Sequence, residues 1–471
     1  MQIVPVLEEK ATENFEPSDV GEVRQACQNL ENYLDNLKKT KDSLSAEEHE
    51  AAILRFTRAI GQASVGEMLA HYDMSDDIVS IGSQTYRRKH KAPKTYQTSL
   101  GPVKVMRHVY ANRKNDGTGK SIVPLELQSG IVESYWSAKA AKNAAWLLAH
   151  LTPQETEDAL LQLGMMSPSR SSLDRLPKAL MTSWDKQVVT QHKLLTEQEG
   201  VPEEAVIMAV SLDGVMIGMK PDKSAKNQEK KPQCEWKEAS CGTVSFFDKD
   251  GSRLTTTQYG RMPEHKKQSL KRLLKNHVQQ ALKTKPELKL ALIADGAKDN
   301  WSFFDEEMPQ GVQITDYFHA CQYLKKAFDA AYRNQKSNEQ YHKYKRILRD
   351  ENKGIKKVLR ALRYLQNKHK SSVDIKSAVT YFTNNQHRML YAEASEINYP
   401  IGSGIVEASC KSLVAQRMKR SGMSWNMLGG QSILTLRALI KSHRFDMAWK
   451  GITQKYKTKL VRHKNVINLF E

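Results

Sequence analysis

Residues 205–219 run Ala-Val-Ile-Met-Ala-Val-Ser-Leu-Asp-Gly-Val-Met-Ile-Gly-Met, an almost continuous apolar stretch with one acid, Asp213, near its middle. A stretch this apolar has to be buried, and its length and β-branched residues read as a strand. It is far short of the roughly 18 apolar residues that a membrane span needs. An ionised carboxylate inside such a strand is costly unless it is paired, hydrogen-bonded or bound to a metal. The segments after it narrow the fold. Cys234–Phe247 and Arg253–Tyr259 alternate as strands, joined at Asp248-Lys-Asp-Gly-Ser252, which has hairpin chemistry. Pro263–Lys283 has helical period. Leu288–Ala294 is a buried-type strand ending at Asp295-Gly296. Asn300–Glu307 is a short helix, Val312–Thr315 a short strand ending at Asp316, and His319–Arg333 a helix. The order β-β-β-α-β-α-β-α, with three strands at hairpin spacing and two reached by helical crossovers, predicts a mixed sheet.

The flanking regions have other textures. Residues 1–20 read as a flexible acidic tail, and 21–75 as an N-terminal helical region. Residues 76–125 read as a small basic β unit of short runs, broken at Lys91-Ala-Pro93, at Gly101-Pro102 and at Asn115-Asp-Gly-Thr-Gly119. Residues 126–200 return to helical spacing. Thr152-Pro-Gln-Glu155 is a helix start, with Thr as N-cap, Pro at the first position and Glu three residues on. That helix stops at Gly164, and a second, rich in Ser and Arg, begins at Ser167-Pro168. The outline fits a helix-turn-helix, with Arg170 and Arg175 reading bases, and equally an ordinary helical hairpin. After the first part of the α/β core at 201–334, a basic, tyrosine-rich helical insertion covers 335–398. Residues 399–471 hold the last helices of the core and a basic C-terminal tail.

Charge points to a polyanionic partner. The 471 residues carry a formal charge of +19, and the excess is clustered. Residues 338–370 hold eleven Lys/Arg and three acids, and residues 411–471 hold thirteen and two. Such clusters are the electrostatic footprint of a nucleic-acid binder. Five cysteines without a CxxC argue against a disulfide framework and for a reducing cytoplasm, and the N-terminus lacks the pattern of a secretory signal. The expected location is cytoplasmic and nucleoid-associated, with no membrane association.

Asp213, Asp295 and Glu407 are the acids with unusual neighbours; Glu407 lies in the first turn of the helix after Gly402-Ser-Gly404. Each alone has a structural explanation as a cap or a paired buried acid. Together they fit one mechanism, in which carboxylates converging on a sheet edge bind two Mg²⁺ (or Mn²⁺) ions that serve an in-line phosphoryl displacement. Asp295 can lie beside Asp213 if their strands are neighbours.

At these residues the chain resembles a known family. Ser211-Leu-Asp-Gly214, Ile293-Ala-Asp-Gly-Ala297, Thr315-Asp-Tyr-Phe-His-Ala320 and Tyr399-Pro-Ile-Gly-Ser-Gly-Ile-Val-Glu-Ala-Ser-Cys-Lys-Ser-Leu413, followed by Gln416-Arg-Met-Lys-Arg-Ser-Gly-Met-Ser-Trp425, are similar to DDE transposases of bacterial insertion sequences. The similarity is to the Kra-type group, a relative of the Mutator-like transposases. It covers about residues 80–445 and is longest at 399–425. It implies an α/β ribonuclease H-like catalytic domain with a helical insertion. It also implies Asp213, Asp295 and Glu407 as the metal-binding triad. His319 falls in the family's Asp/Cys-x-x-His signature, where it contacts the scissile phosphate, orients an acid, or only caps its helix. A zinc site from Cys234, Cys241, His319 and Cys321 does not match common ligand spacings.

The expected partner is double-stranded DNA, as element ends and as target, with a homodimer forming on DNA. Phosphate contacts are expected from Arg87, Arg88 and Lys89, from Lys343, Lys345, Arg346 and Arg349, and from Arg417, Lys419 and Arg420. Trp425 is expected to stack on an unpaired base or to fill a core position. Three activities stay open: a transposase that cleaves and joins DNA, a nuclease on the same fold without strand transfer, and a non-catalytic DNA-binding protein of transposon origin.

Overall fold

The computed structural model describes residues 20–39, 44–112, 119–164, 166–221, 234–332 and 334–463. The acidic tail expected at the N-terminus lies outside them up to residue 19. The chain divides into two compact units, Met1–Leu180 with Trp449–Glu471, and Met181–Ala448. Each unit has its own five-stranded sheet, so the fold is mixed α/β. No helix among the described residues is long and apolar enough to cross a membrane.

In the first unit, helices α1 (Val20–Lys39) and α2 (Ala46–His71) precede strands β1 (Ile78–Ile81), β2 (Gln84–Thr98), β3 (Gly101–Ala111) and β4 (Ser121–Ile122). Helix α2 starts at a capping box in which Ser45 and Glu48 satisfy each other's backbone amides. Lys91-Ala-Pro93 does not break β2, contrary to the sequence reading. Pro93 pairs with Met106 of β3, while β1 covers β2 only as far as Arg87. At Pro93 the other edge of β2 has no paired strand, so a missing N–H is tolerated there. Helices α3 (Pro124–Ser129), α4 (Ala138–His150), α5 (Pro153–Gln162) and α6 (Arg170–Lys186) follow. The Thr152–Glu155 capping box forms at the start of α5.

The second unit holds α7 (Val188–Glu199), then β5 (Ile207–Met219), β6 (Glu235–Phe247), β7 (Arg253–Arg261), α8 (Gln268–Thr284), β8 (Lys289–Ala294), α9 (Lys298–Glu307), β9 (Val312–Thr315) and α10 (Tyr317–Ala331). The sheet order is β7-β6-β5-β8-β9. The first three strands pair antiparallel, β8 pairs parallel to β5, and β9 pairs parallel to β8. Next come α11 (Asn334–Asp350), α12 (Gly354–Lys368), α13 (Val373–Asn385) and α14 (Tyr391–Glu396), over the segment read as a helical insertion. These helices are not an appendage. Ile355, Val358, Leu362 and Leu365 of α12 and Ile375 and Phe382 of α13 share one core with Ala291 and Ile293 of β8 and Leu324 and Phe328 of α10. The basic residues of α12 lie on its opposite, exposed face.

Helix α15 (Gly404–Ser409) continues through a π turn at Cys410–Ala415 into the short α16 (Gln416–Met418). Then come α17 (Met427–Lys441) and α18 (Phe445–Gln454). The last described segment is not a free tail. Val461–His463 form β10, antiparallel to β1, and Ser80 bonds the ring of His463 at 2.6 Å. Three residues with one apolar side chain give no alternation from which a strand could be read.

Candidate active site

The parallel register of β5 and β8 places the two strand acids. Val210 is level with Leu292 and Ser211 with Ile293. One further step of two residues brings Asp213 level with Asp295, and a two-residue step keeps a strand on the same face. Adjacent strands lie about 4.8 Å apart. Strand β8 ends at Ala294, so β5 loses that neighbour where Asp213 occurs, and burial along β5 falls from Asp213 to Met216. The Asp295 charge acts on Asp213, so the two carboxylates lie near each other at this opening in the sheet.

Asp213 accepts a hydrogen bond at Oδ1 from the Gly214 amide at 2.7 Å. Burial raises its pKa above the ordinary carboxylate value. The Gly214 amide opposes this, the Asp295 charge adds to it, and His319 and Lys267 offset it in part. Asp295 accepts at Oδ1 from the Ala297 amide at 3.1 Å and from Asn300 Nδ2 at 2.9 Å. Asn300 is 2% exposed, so this contact fixes the Asp295 rotamer from below.

His319, on α10, faces both acids. Its pKa is raised, chiefly by its bond to Asp316; burial opposes this, and the charges of Asp316, Asp295 and Asp213 reinforce it. Asp316 is the N-cap of α10 and 1% exposed. It accepts from the His319 amide at 2.6 Å and from the Ser403 amide at 2.5 Å. Burial alone would raise its pKa, but these bonds prevail and the net shift is downward. The Tyr317 amide also donates to Ile401 O at 3.1 Å. Loop 401–403, which leads into α15, is thus tied to the sheet beside Asp295.

Helix α15 reaches Asp213 through Cys410. That thiol lies near Cys241 and Asp213, and Cys241 is the cross-strand partner of Asp213 on β6. Glu407 is one turn earlier on the same helix and is exposed. The structure brings Asp213, Asp295 and His319 together but does not complete a triad with Glu407. Among the described residues, no three His, Cys, Asp or Glu side chains converge to hold a metal ion. Two neighbouring carboxylates of like charge are nonetheless a fitting hard-oxygen pair for Mg²⁺, which keeps several of its own waters. A zinc set is not assembled: Cys241 and Cys321 belong to different core clusters and Cys234 is exposed.

A cation also stands nearby. Lys267 and its neighbour Lys266 both have left-handed backbone conformations, at φ 54° and 48°. Such geometry in a residue other than glycine costs about 1–3 kcal/mol. The Lys267 ammonium pairs with Glu238 at 2.8 Å.

The residues expected to meet DNA fall into separate groups. Arg87, Arg88 and Lys89 are exposed on β2, where a register shift falls between Arg88 and His90; Arg88 also pairs with Asp77 at 2.6 Å. Arg170 and Arg175 are exposed on α6, with the Arg170 amide donating to Glu157 at 3.0 Å. On α11, Lys343, Arg346 and Arg349 are exposed and Lys345 is half-buried; Arg349 pairs with Asp350. Lys419 and Arg420 are exposed. Arg417 is a correction: it is 2% exposed, with its guanidinium over the Trp425 ring at 5.4 Å. Trp425 is a packing residue in this fold. Its indole donates to Met418 O at 2.9 Å, its backbone bridges to Gly218 and Lys220, and its ring packs against the core. The π turn advances α16 out of simple helical phase, which is why spacing from Glu407 misplaces Arg417.

Sequence reasoning passes over Asn300, Lys267 and Cys410. Asn300 reads as a helix-start residue, Lys267 as one base among many, and Cys410 as core. Only Asp316, at a strand end before a His three residues on, carries a readable signal, and its second bond, to Ser403, does not.

No protein-family model matches the chain, and no curated protein matches it. Among solved structures, a Drosophila P element transposase strand transfer complex is similar over 69% of this chain and 82% of that chain, at 12% identity and a TM-score of 0.26.

Proposed function

We propose that the chain is a metal-dependent DNA-cleaving and DNA-joining enzyme of the DDE transposase type, with a ribonuclease H-like second unit. The observation that carries this reading is the nearness of Asp213, on β5, to Asp295, the first residue past the end of the neighbouring parallel strand β8. The sheet order β7-β6-β5-β8-β9, antiparallel then parallel, supports the fold reading, and the net charge of +19 supports a DNA partner. The further assignment to Kra-type insertion-sequence enzymes stands on the motifs around 399–425.

In this reading Asp213 and Asp295 hold divalent cations, with Glu407 completing the set when α15 turns on bound DNA. Two such ions would activate a hydroxyl and stabilise a leaving oxygen. His319, whose pKa Asp316 raises, would present a ring donor to a phosphate beside the two acids. Asp316 holds its helix and loop 401–403 in place. Exposed bases on β2, α6 and α11 supply phosphate contacts, and Arg170 and Arg175 read the element ends. DNA-bound dimers and two Mg²⁺ or Mn²⁺ ions belong to the same reading.

The test is a plasmid carrying the DNA that flanks the coding region, incubated with the protein and Mg²⁺ or Mn²⁺. Nicking at the flanks and joining to target DNA are expected, and Asp213→Asn should abolish both while leaving DNA binding intact. Wild-type strand transfer by Asp213→Asn overturns the assignment. Cleavage without joining favours the nuclease.

A further inference from the structure

Tyr381 lies on α13, within the helical insertion, and its ring is held on two sides. It stacks on Tyr323 with centroids 4.0 Å apart and planes 12° apart. Its edge lies against Gly296, where an added Cβ would come within 2.5 Å of Tyr381 Cε2. Glycine directly after Asp295 is therefore what admits this ring to the acid's side of the sheet. One helical turn on, Asn385 donates to Tyr381 O at 2.9 Å and steadies the helix end.

The hydroxyl at the end of this ring is buried and has no hydrogen-bond partner among the described residues. A buried donor without a partner is costly, so such an atom calls for an explanation. Burial, then the charges of Asp316 and Asp295, raise its pKa, so it remains a proton donor at neutral pH. Of the four oxygens on those two carboxylates, both of Asp316 accept backbone amides, and Oδ1 of Asp295 accepts Ala297 and Asn300. Asp295 Oδ2 is the one of the four that accepts no hydrogen bond among the described residues.

We propose that Tyr381 is a positioning residue for Asp295: its hydroxyl donates to the Asp295 carboxylate in the cation-bound state and fixes which oxygen the carboxylate presents. The orphan hydroxyl of the cation-free protein is then the unused half of a bond formed on loading. This rests on the reading of Asp213 and Asp295 as a divalent-cation site. It gives the insertion a task beyond DNA affinity, because α13 supplies a group that acts on a strand acid.

The experiment uses the full chain and Mn²⁺ as probe, with free Mn²⁺ followed by electron paramagnetic resonance. Wild type, Tyr381→Phe, Asp213→Asn and Asp295→Asn are titrated, and thermal unfolding of each is recorded without cation. Tyr381→Phe should weaken Mn²⁺ binding about tenfold, the lower end for a residue that orients a metal ligand. Its cation-free unfolding midpoint should be unchanged or higher, because an unpaired buried hydroxyl has been removed. Unchanged Mn²⁺ affinity overturns the proposal, and so does a lowered cation-free midpoint, which would make the hydroxyl a structural group. If wild type binds no Mn²⁺, or if Asp213→Asn and Asp295→Asn bind it as wild type does, the cation site itself is wrong, whatever Tyr381→Phe does.

Discussion

Arg444 and Asp213 both hold charge against the sheet of the second unit. Arg444 is 1% exposed and pairs with Glu199, with Nε at 2.8 and 2.9 Å from its two oxygens. It also donates to the Tyr259 hydroxyl at 3.3 Å and to Thr196 at 3.4 Å, and Tyr259 in turn bonds His277 Nδ1 at 2.7 Å. Around Arg444 the charge has opposite charge and polar partners. Asp213 and Asp295 instead act on each other as like charges, with one histidine and one lysine to offset them. The first arrangement is complete within the chain. The second is the pair proposed above to hold a divalent cation. A charge network satisfied internally serves the fold, and one left with like charges side by side serves a ligand.

The strongest way to break this comparison is Asp213→Asn. In the proposed reaction it should lower the single-turnover rate on the order of 10⁴-fold, roughly 5 kcal/mol, while the unfolding midpoint stays level or rises. Burial and the Asp295 charge raise the folded pKa of Asp213, so its ionised form disfavours folding above the ordinary carboxylate range, and a neutral isostere relieves that. A fall in the midpoint comparable to that of an Arg444 variant would erase the distinction between the two clusters.

Arg444→Met should act in the opposite sense. It unpairs Glu199, which is exposed, and takes a donor from the buried Tyr259 hydroxyl and Thr196, and is expected to cost about 1–3 kcal/mol of stability, read by urea unfolding. At temperatures where the variant remains folded, its Mn²⁺ affinity should match wild type.

Acid sharpens the same contrast. Burial, aided by the charges of Arg444 and Arg261, lowers the pKa of His192 to about 3, and burial holds His277 well below its ordinary value. Both fold neutral. Below the ordinary histidine value the unfolded chain takes up protons that the folded chain refuses, so stability should fall as pH drops from about 6.5 toward 3. Each histidine contributes about 1 kcal/mol per pH unit in that window. His192→Gln should flatten the slope in a chemical-denaturation series across pH 4–7, and an unchanged slope would remove His192 from the account.

The smallest effect is expected on the exposed face of α11. Neutralising Lys343, Arg346 and Arg349 should weaken DNA binding without sequence preference and reduce the salt slope by up to about 3, one for each phosphate no longer neutralised. Unfolding should be unaffected, since Arg349 pairs with an exposed acid, Asp350.

Local chemistry is the most readable level of this sequence. The cap at Thr152 and the strand-helix order from 205 follow from residue types within a few positions of each other. Pro93 misleads because its effect depends on whether β1 extends past Arg87, and no local pattern reports that. Arg417 looks like a surface base until the π turn rotates it under Trp425. Asn300 bonds Asp295, Cys410 comes near Asp213, and Tyr381 packs against Gly296 beside Asp295, each from a separate segment, and spacing within one segment says nothing of such meetings. The acids themselves stand out, because a carboxylate in an apolar strand has few inexpensive explanations.

Strand β10 has a consequence for biosynthesis. The first unit's sheet takes its edge strand from residues 461–463, which leave the ribosome after every residue of the second unit. During synthesis β1 therefore presents an open hydrogen-bonding edge while the α/β unit is being made. The β1–β2–β3 hairpins can form early from local contacts, but the Ser80–His463 bond and the burial of Leu460 against Val79 and Tyr86 must wait until residue 463 has emerged. A nascent chain stalled before residue 460 would expose that edge to any neighbouring polypeptide, making residues 460–463 guardians against misassociation.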